Sequence, residues 1–209
     1  ALLAEGPGGD YGIHTEMFTT GLMRLHQAGK VSNARKGIHE GVSVATFAMG
    51  TPELYAWLDG REDVRFLPVE KVNAPAIIAA NRNMLSLNGA LSLDLYGQIV
   101  ADVIGGRQHS GIGGHEDFVS GASLEADDRS LVCLPSTVTV GGKVLSRIVA
   151  RLQEGSIVTT PRHQLDVVVT EHGAAEVLGL TVKERARSLA GIAHPDFREE
   201  LLAAAEKLG

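Results

Sequence analysis

"DYGIHTEMFTTGLMRLHQAGK", residues 10–30, decides the fold. The apolar run Tyr11-Gly12-Ile13 reads as a short strand that leads into His14-Thr15-Glu16. A helical pattern begins almost at once: Thr20 to Ala28 carries Leu22, Met23, Leu25 and His26, and Gly29 is the expected stop. A strand that feeds a helix is the repeating unit of an α/β domain. It also leaves Glu16 just past a strand, where open α/β sheets bind ligands. The plainer reading of Glu16 is a carboxylate near a helix N-terminus, worth roughly 0.3–1 kcal/mol through the dipole.

The same alternation continues along the chain. Strand-length runs recur as "GVSVATFAM", "VRFLPV", "NMLSLNGALSLDLYG", "QIVADVIG", "SLVCLPS", "GSIVTT" and "LDVVVTE". Several are apolar nearly throughout, as strands covered on both faces are. Between them, "TPELYAWLDG" offers Thr51 as N-cap, Pro52 at N1 and Gly60 past the end. "NAPAIIAANRN" reads as a short helix with Pro75 in its first turn. In "TVKERARSLAG", Thr181 and Glu184 form a capping box and Gly191 closes the helix. "PDFREELLAAAEKLG" is amphipathic, with Phe197, Leu201, Leu202, Ala205 and Leu208 on one stripe. Asn83 to Gly105 has little room for a helix and should add antiparallel strands. The fold class is therefore α/β, an open, mostly parallel but mixed sheet flanked by helices. No repeat or linker divides residues 1–209, which read as one domain. "ALLAEGPGGD" resembles the tail of a helix stopped by glycines, so the chain is expected to begin inside a larger polypeptide.

The 209 residues are 44% hydrophobic and 21% charged, enough for a real core. The formal charge of −6 is interleaved and no basic run occurs, which argues against nucleic acid or an anionic membrane as partner. No apolar stretch approaches the ~20 residues of a membrane span. Cys133 is the single cysteine and makes no internal disulfide, which fits a reducing, cytoplasmic setting. Within its apolar run it reads as a small buried hydrophobe.

Several residues invite chemistry. Glu171, in "VVVTEHG", repeats the Thr-Glu pattern of Glu16, and pattern alone does not rank the two. In "HSGIGGHEDFVSGAS", residues 109–123, Gly111, Gly113 and Gly114 leave backbone N–H groups open to a ligand. Tight turns use the same residues, and the segment is neither a dinucleotide fingerprint nor a phosphate loop. His109 and His115 lack converging partners, so no metal is expected. Asn88, inside an apolar strand, either braces the sheet or faces a polar site. Asn73 precedes Pro75 in an equally unusual place. Arg162 is a possible anion contact, although a surface arginine is the commoner case.

Taken in order, "GIHTEMFTTGL", "VNAPAII", "LSLNGALSLDLYGQI", "SGIGGHEDFVSGA", "LPST", "LSRIV", "GSIVTTPRHQLDVVVTEHG" and "IAHPDFREEL" resemble the C-terminal domain of the acetyl-CoA hydrolase/transferase family. The nearest branch comprises 4-hydroxybutyrate, butyrate and acetate CoA-transferases. The resemblance implies a CoA-transferase-type domain in which Glu16, not Glu171, forms a glutamyl-CoA thioester. It implies that Gly111, Gly113 and Gly114 lie next to CoA, and that Asn73 and Asn88 line the same pocket. Coenzyme A would be a substrate, with no tightly bound cofactor. The implied partners are acyl-CoA, short carboxylic acids and an N-terminal domain or subunit that this sequence lacks, within a homo-oligomer. The departures are that missing half, His172 where a tyrosine is usual, and an altered loop in "PSTVTVGGKVLSR".

Overall fold

The protein is described by a computed structural model over residues 2–208. It divides into two compact units, one formed by residues 1–84 with 124–128, the other by residues 85–123 with 129–209.

The first unit runs α1 (Leu2–Glu5), β1 (Met17–Thr19), α2 (Thr20–Gln27), β2 (Ser43–Ala45), β3 (Phe47–Met49), α3 (Pro52–Leu58), β4 (Val64–Phe66), α4 (Val69–Val72) and α5 (Pro75–Ala79). Its pairs are parallel, β1 with β3 and β2 with β4. The expected "YGIHT" strand is only two isolated bridges, Tyr11 to Val31 and His14 to Val44. Side chains compete with the ladder at Ile13, although its carbonyl still accepts the Val44 N–H at 3.1 Å. Asn33 Oδ1 accepts the Ile13 N–H at 2.8 Å, and Lys36 Nζ donates to the Ile13 carbonyl at 2.7 Å. His14 faces Val44 and Met17 faces Phe47 at the same offset, so one parallel pairing is interrupted at Glu16 and resumes as β1.

Helix α2 has Thr19 as its N-cap and Gly29, at φ +67°, just past its end. Thr51 precedes α3 in extended geometry but makes no side-chain cap bond, while Pro52 stands in the first turn. Phe18, Met23 and Leu54 are fully buried together, and Phe18 stacks on Trp57 with ring centres 6.0 Å apart.

The second unit runs β5 (Leu85–Gly89), β6 (Ser92–Asp94), β7 (Ile99–Val100), β8 (Val103–Ile104), β9 (Arg107–Gln108), α6 (His115–Gly121), β10 (Arg129–Cys133), β11 (Thr137–Val140), β12 (Lys143–Ser146), β13 (Ile148–Val149), β14 (Val167–Thr170), β15 (Gly173–Glu176), α7 (Val182–Gly191) and α8 (Pro195–Ala205). Its main sheet has the order β15-β14-β10-β5. β5, β10 and β14 are parallel, and β15 joins antiparallel through a hairpin, so the sheet is mixed as expected. The Asn83–Gly105 stretch does supply an antiparallel pair, β6 with β7, and its β8 pairs antiparallel with β9 just beyond it, yet its first strand pairs in parallel. The core gathers Leu93, Ile99, Ile148, Val168 and Leu189 around the inner faces of α7 and α8.

Three sequence expectations are corrected here. "GSIVTT" is no strand: only Thr160 bridges to Ile99, and Ile157 and Val158 are exposed. Leu202 leaves the α8 stripe, being 39% exposed, because it lies one residue beyond Leu201 and points roughly 100° away. Helix α7 includes Gly191, and Ile192 is its C-cap; the capping box of Thr181 and Glu184 is present. The segment after "PST" is a hairpin of β11 and β12, closed by Gly141 (φ +56°) and Gly142 (φ +77°). Positive φ at both turn residues is what a two-residue hairpin loop needs. Among the described residues, no helix is long and apolar enough to cross a membrane.

Candidate active site

The strongest constellation surrounds residues 13–16. Ile13 is fixed through both backbone groups by Asn33 and Lys36, as above. Asn33 is buried with φ +54°, and its Nδ2 also donates to Ser43 Oγ at 3.0 Å. Lys36 is buried as well, donating to the carbonyls of Ile13 and, at 2.9 Å, Val42. Burial lowers its ammonium pKa to about 8. Gly12 gives Lys36 passage, since a Cβ there would meet Lys36 Cγ at 2.4 Å.

Two further contacts tie this segment to the end of α4. His14, also buried, hydrogen-bonds through Nε2 to the Val72 carbonyl at 2.7 Å. A carbonyl only accepts, so Nε2 carries the proton. Burial is the main cause of a His14 pKa lowered to about 4, which keeps the ring neutral near pH 7. Two residues on, the Glu16 carboxylate accepts a short hydrogen bond at Oε2 from the Asn73 side-chain amide. Asn73 is buried and is the C-cap of α4, its backbone N–H bonded to the Val69 carbonyl at 2.8 Å. Glu16 Oε1 has no hydrogen-bond donor among the described residues. Glu16 and Asn73 are thus brought together within the first unit. The helix-terminus reading of Glu16 is not met: β1 separates it from α2, whose first turn contains no acidic residue.

In the second unit, the glycine turn runs from His109 into α6. The N–H groups of His109 and Ser110 bond to the Asp102 carbonyl at 2.8 and 3.3 Å. The next four, from Gly111 to Gly114, have no acceptor among the described residues. Only Gly113 needs glycine's backbone freedom, at φ +61°; Gly114 is the helix N-cap at φ −80°. Asn88 donates to Ser86 Oγ, two residues along the same face of β5, at 2.7 Å, which is bracing within the strand. His109 is exposed. His115 is buried and hydrogen-bonds to the backbone of Gly89, with its pKa lowered chiefly by burial. Arg162 is exposed. No group of three or more His, Cys, Asp or Glu side chains suited to a metal occurs among the described residues. Cys133 is half-buried in β10, and burial raises its thiol pKa.

Glu171 occupies the turn between β14 and β15, so it too lies at no helix N-terminus. Both of its carboxylate oxygens accept a hydrogen bond: Ser136 donates its N–H at 2.9 Å and its hydroxyl at 2.5 Å. These bonds hold its pKa down at about 2.

Reading the sequence missed Lys36, Asn33 and the structural part of His14. Lys36 sits in the polar segment "NARKG", which resembles a solvated loop. Nothing local announces that the distant Gly12-Ile13 segment will lie against it.

The model of the acetyl-CoA hydrolase/transferase C-terminal domain matches residues 50–205, so the chain belongs to that family. It is 44% identical over 191 residues to the 4-hydroxybutyrate coenzyme A transferase of Clostridium kluyveri, covering 91% of this chain and 44% of that protein. The crystal structure of RipA from Yersinia pestis superposes with a TM-score of 0.89 at 43% identity, over 99% of this chain and 46% of that one. A 4-hydroxybutyrate CoA-transferase from Porphyromonas gingivalis superposes with a TM-score of 0.80 at 36% identity, over 95% of this chain and 46% of that one. The chain thus spans less than half the length of these relatives.

Proposed function

We propose that this chain is the C-terminal, nucleophile-bearing half of a CoA-transferase that moves CoA between a short-chain acyl-CoA and a carboxylate acceptor. The acyl groups that the relatives' names favour are acetyl, butyryl and 4-hydroxybutyryl. The observation that carries the reading is the Glu16–Asn73 pair: one carboxylate oxygen is held by a buried amide and the other is left to react. Carboxylates are established covalent nucleophiles.

Glu16 Oε1 attacks the thioester carbonyl; the new O–C bond forms as the C–S bond breaks, giving a mixed anhydride and CoA thiolate. The thiolate then attacks Cδ of Glu16. Negative charge collects on Oε2, the atom to which Asn73 Nδ2–H donates, so the amide stabilises the tetrahedral intermediate. The Cδ–Oε1 bond breaks, the donor carboxylate leaves with that oxygen, and a glutamyl-CoA thioester remains. An acceptor carboxylate repeats the steps in reverse order. Gly111, Gly113 and Gly114 serve as a CoA contact, supported by their run of unengaged N–H groups. Asn88 is assigned to the margin of the same pocket. Coenzyme A is a substrate here, not a resident cofactor. An upstream half completes the enzyme, which works as a homo-oligomer in the cytoplasm.

Hydrolysis is the second reading, favoured by the family's own description: water would then replace the carboxylate acceptor at the same thioester. The deciding experiment is intact mass after incubation with butyryl-CoA, with and without the upstream half, followed by borohydride reduction and peptide mapping. The expected result is a CoA-sized adduct on the peptide holding Glu16, reduced to the alcohol. No adduct with either preparation would sink the covalent reading. CoA release that is independent of added acetate would identify a hydrolase.

A further inference from the structure

Asn73 stands at the end of α4, a helix of one turn, Val69–Val72. Such a short helix has little internal stability of its own, because it has scarcely passed the costly nucleation step. Its placement therefore depends on what grips it from outside. Val72 contributes a fully buried side chain. The polar grip is the His14 ring, whose Nε2–H reaches the Val72 carbonyl at 2.7 Å. That carbonyl belongs to the peptide unit that continues directly into Asn73.

The geometry is a two-rung ladder. His14 is joined to Val72, and Glu16 is joined to Asn73, with the rungs two residues apart on one segment and adjacent on the other. The base of the ladder is rigid because Asn33 and Lys36 clamp the backbone of Ile13, next to His14. We propose that His14 is a positioning residue, which sets the Asn73 amide against the reacting carboxylate of Glu16 through its bond to the Val72 carbonyl. This inference rests on Glu16 being the nucleophile. It adds a residue that acts on the reaction only through Asn73.

The required chemistry is a buried N–H donor at the Nε2 position. Glutamine places its amide nitrogen close to that point, whereas asparagine stops short. A misplacement of about 1 Å at a reacting centre can cost roughly 100-fold in rate. The test compares His14→Gln, His14→Asn and Asn73→Ala, and the His14→Asn/Asn73→Ala double variant, in the chain assembled with its upstream half. The readouts are kcat, KM for butyryl-CoA and the rate of adduct formation on the Glu16 peptide.

His14→Asn should lower kcat and adduct formation roughly 10–100-fold with KM little changed, and His14→Gln should recover most of the loss. The double variant should be scarcely slower than Asn73→Ala alone, because the second substitution removes a support for a group already absent. A residue with a merely structural role would give additive losses and no rescue by glutamine. Equal rates for His14→Gln and His14→Asn, or full additivity in the double variant, would overturn the inference. Should His14→Asn fail to fold while His14→Gln folds, the glutamine variant decides: near-normal kcat sustains the assignment, and a kcat as low as that of Asn73→Ala refutes it. A wild-type protein with no adduct on Glu16 would instead refute the underlying functional reading.

Discussion

Glu16 and Glu171 begin as twins, each a glutamate behind a threonine at the end of an apolar run. Their surroundings separate them. Glu171 stands in a hairpin turn with both carboxylate oxygens taken by Ser136, so it ties the segment after β10 to the end of β14. Glu16 stands where a parallel pairing is interrupted and receives one side-chain amide at one oxygen. The Glu171 carboxylate is thus held at both oxygens and the Glu16 carboxylate at one. What differs is the set of donors brought from distant residues, Asn73 in one case and Ser136 in the other.

The largest expected effect breaks the pair apart directly. Glu16→Gln in the complete enzyme should lower transfer by at least ~10³-fold and abolish the CoA adduct, as loss of a covalent nucleophile does. Glu171→Gln should retain the adduct. If steady-state assays and mass mapping gave the opposite pattern, the comparison would be reversed.

The next effect concerns the buried cation under the Glu16 segment. The folded protein holds the Lys36 pKa at about 8 against an ordinary 10.5. Between those values the unfolded chain binds the proton that the folded chain has released, so stability rises with pH across that window. The span corresponds to about 3 kcal/mol as an upper figure. Denaturant titrations should show that rise in the wild type and a flatter profile in Lys36→Met.

Glu171 has the opposite signature. Its folded pKa of about 2 lies below the ordinary 4.5, so its contribution is full above pH 4.5 and is lost as pH falls towards 2. Thermal melts of Glu171→Gln should differ from wild type at neutral pH and converge with it in acid. The smallest effect lies in the hairpin that follows Ser136. Gly142→Ala, at φ +77°, should cost about 1 kcal/mol through backbone strain. It should leave adduct formation on Glu16 unchanged, as mass spectrometry would report.

The elements most legible in the sequence are those governed by neighbours along the chain. Thr181 and Glu184 cap α7 reciprocally, Gly29 stops α2, and the valines of "DVVVT" form a strand inside the mixed sheet. Reading failed where a side chain displaced a backbone partner. "YGIHT" looks like a strand, yet the Asn33 side chain takes the Ile13 N–H, and the Ile13 carbonyl divides itself between Lys36 and the Val44 N–H. It failed again at "GSIVTT", whose apolar residues remain exposed and paired at one bridge only. The hairpin at Gly141-Gly142 was read only as an altered loop, because its flanking strands are short and rich in exposed residues. Of the candidate site, Glu16 and Asn73 proved to be neighbours. Asn88 bonds to Ser86 of its own strand, and Lys36 was hidden in a polar loop.

By itself the sequence determined the α/β class, the capping box of α7, the stop of α2, the mixed sheet and the family, because propensity, periodicity and motif order act over a few residues at a time. Only the tertiary structure decided which distant donors meet each of the two like glutamates. That choice depends on donors 57 residues away for Glu16 and 35 residues away for Glu171. Hydrogen bonds of about 3 Å form only where the folded backbone brings such distant groups together, and no local pattern encodes that meeting.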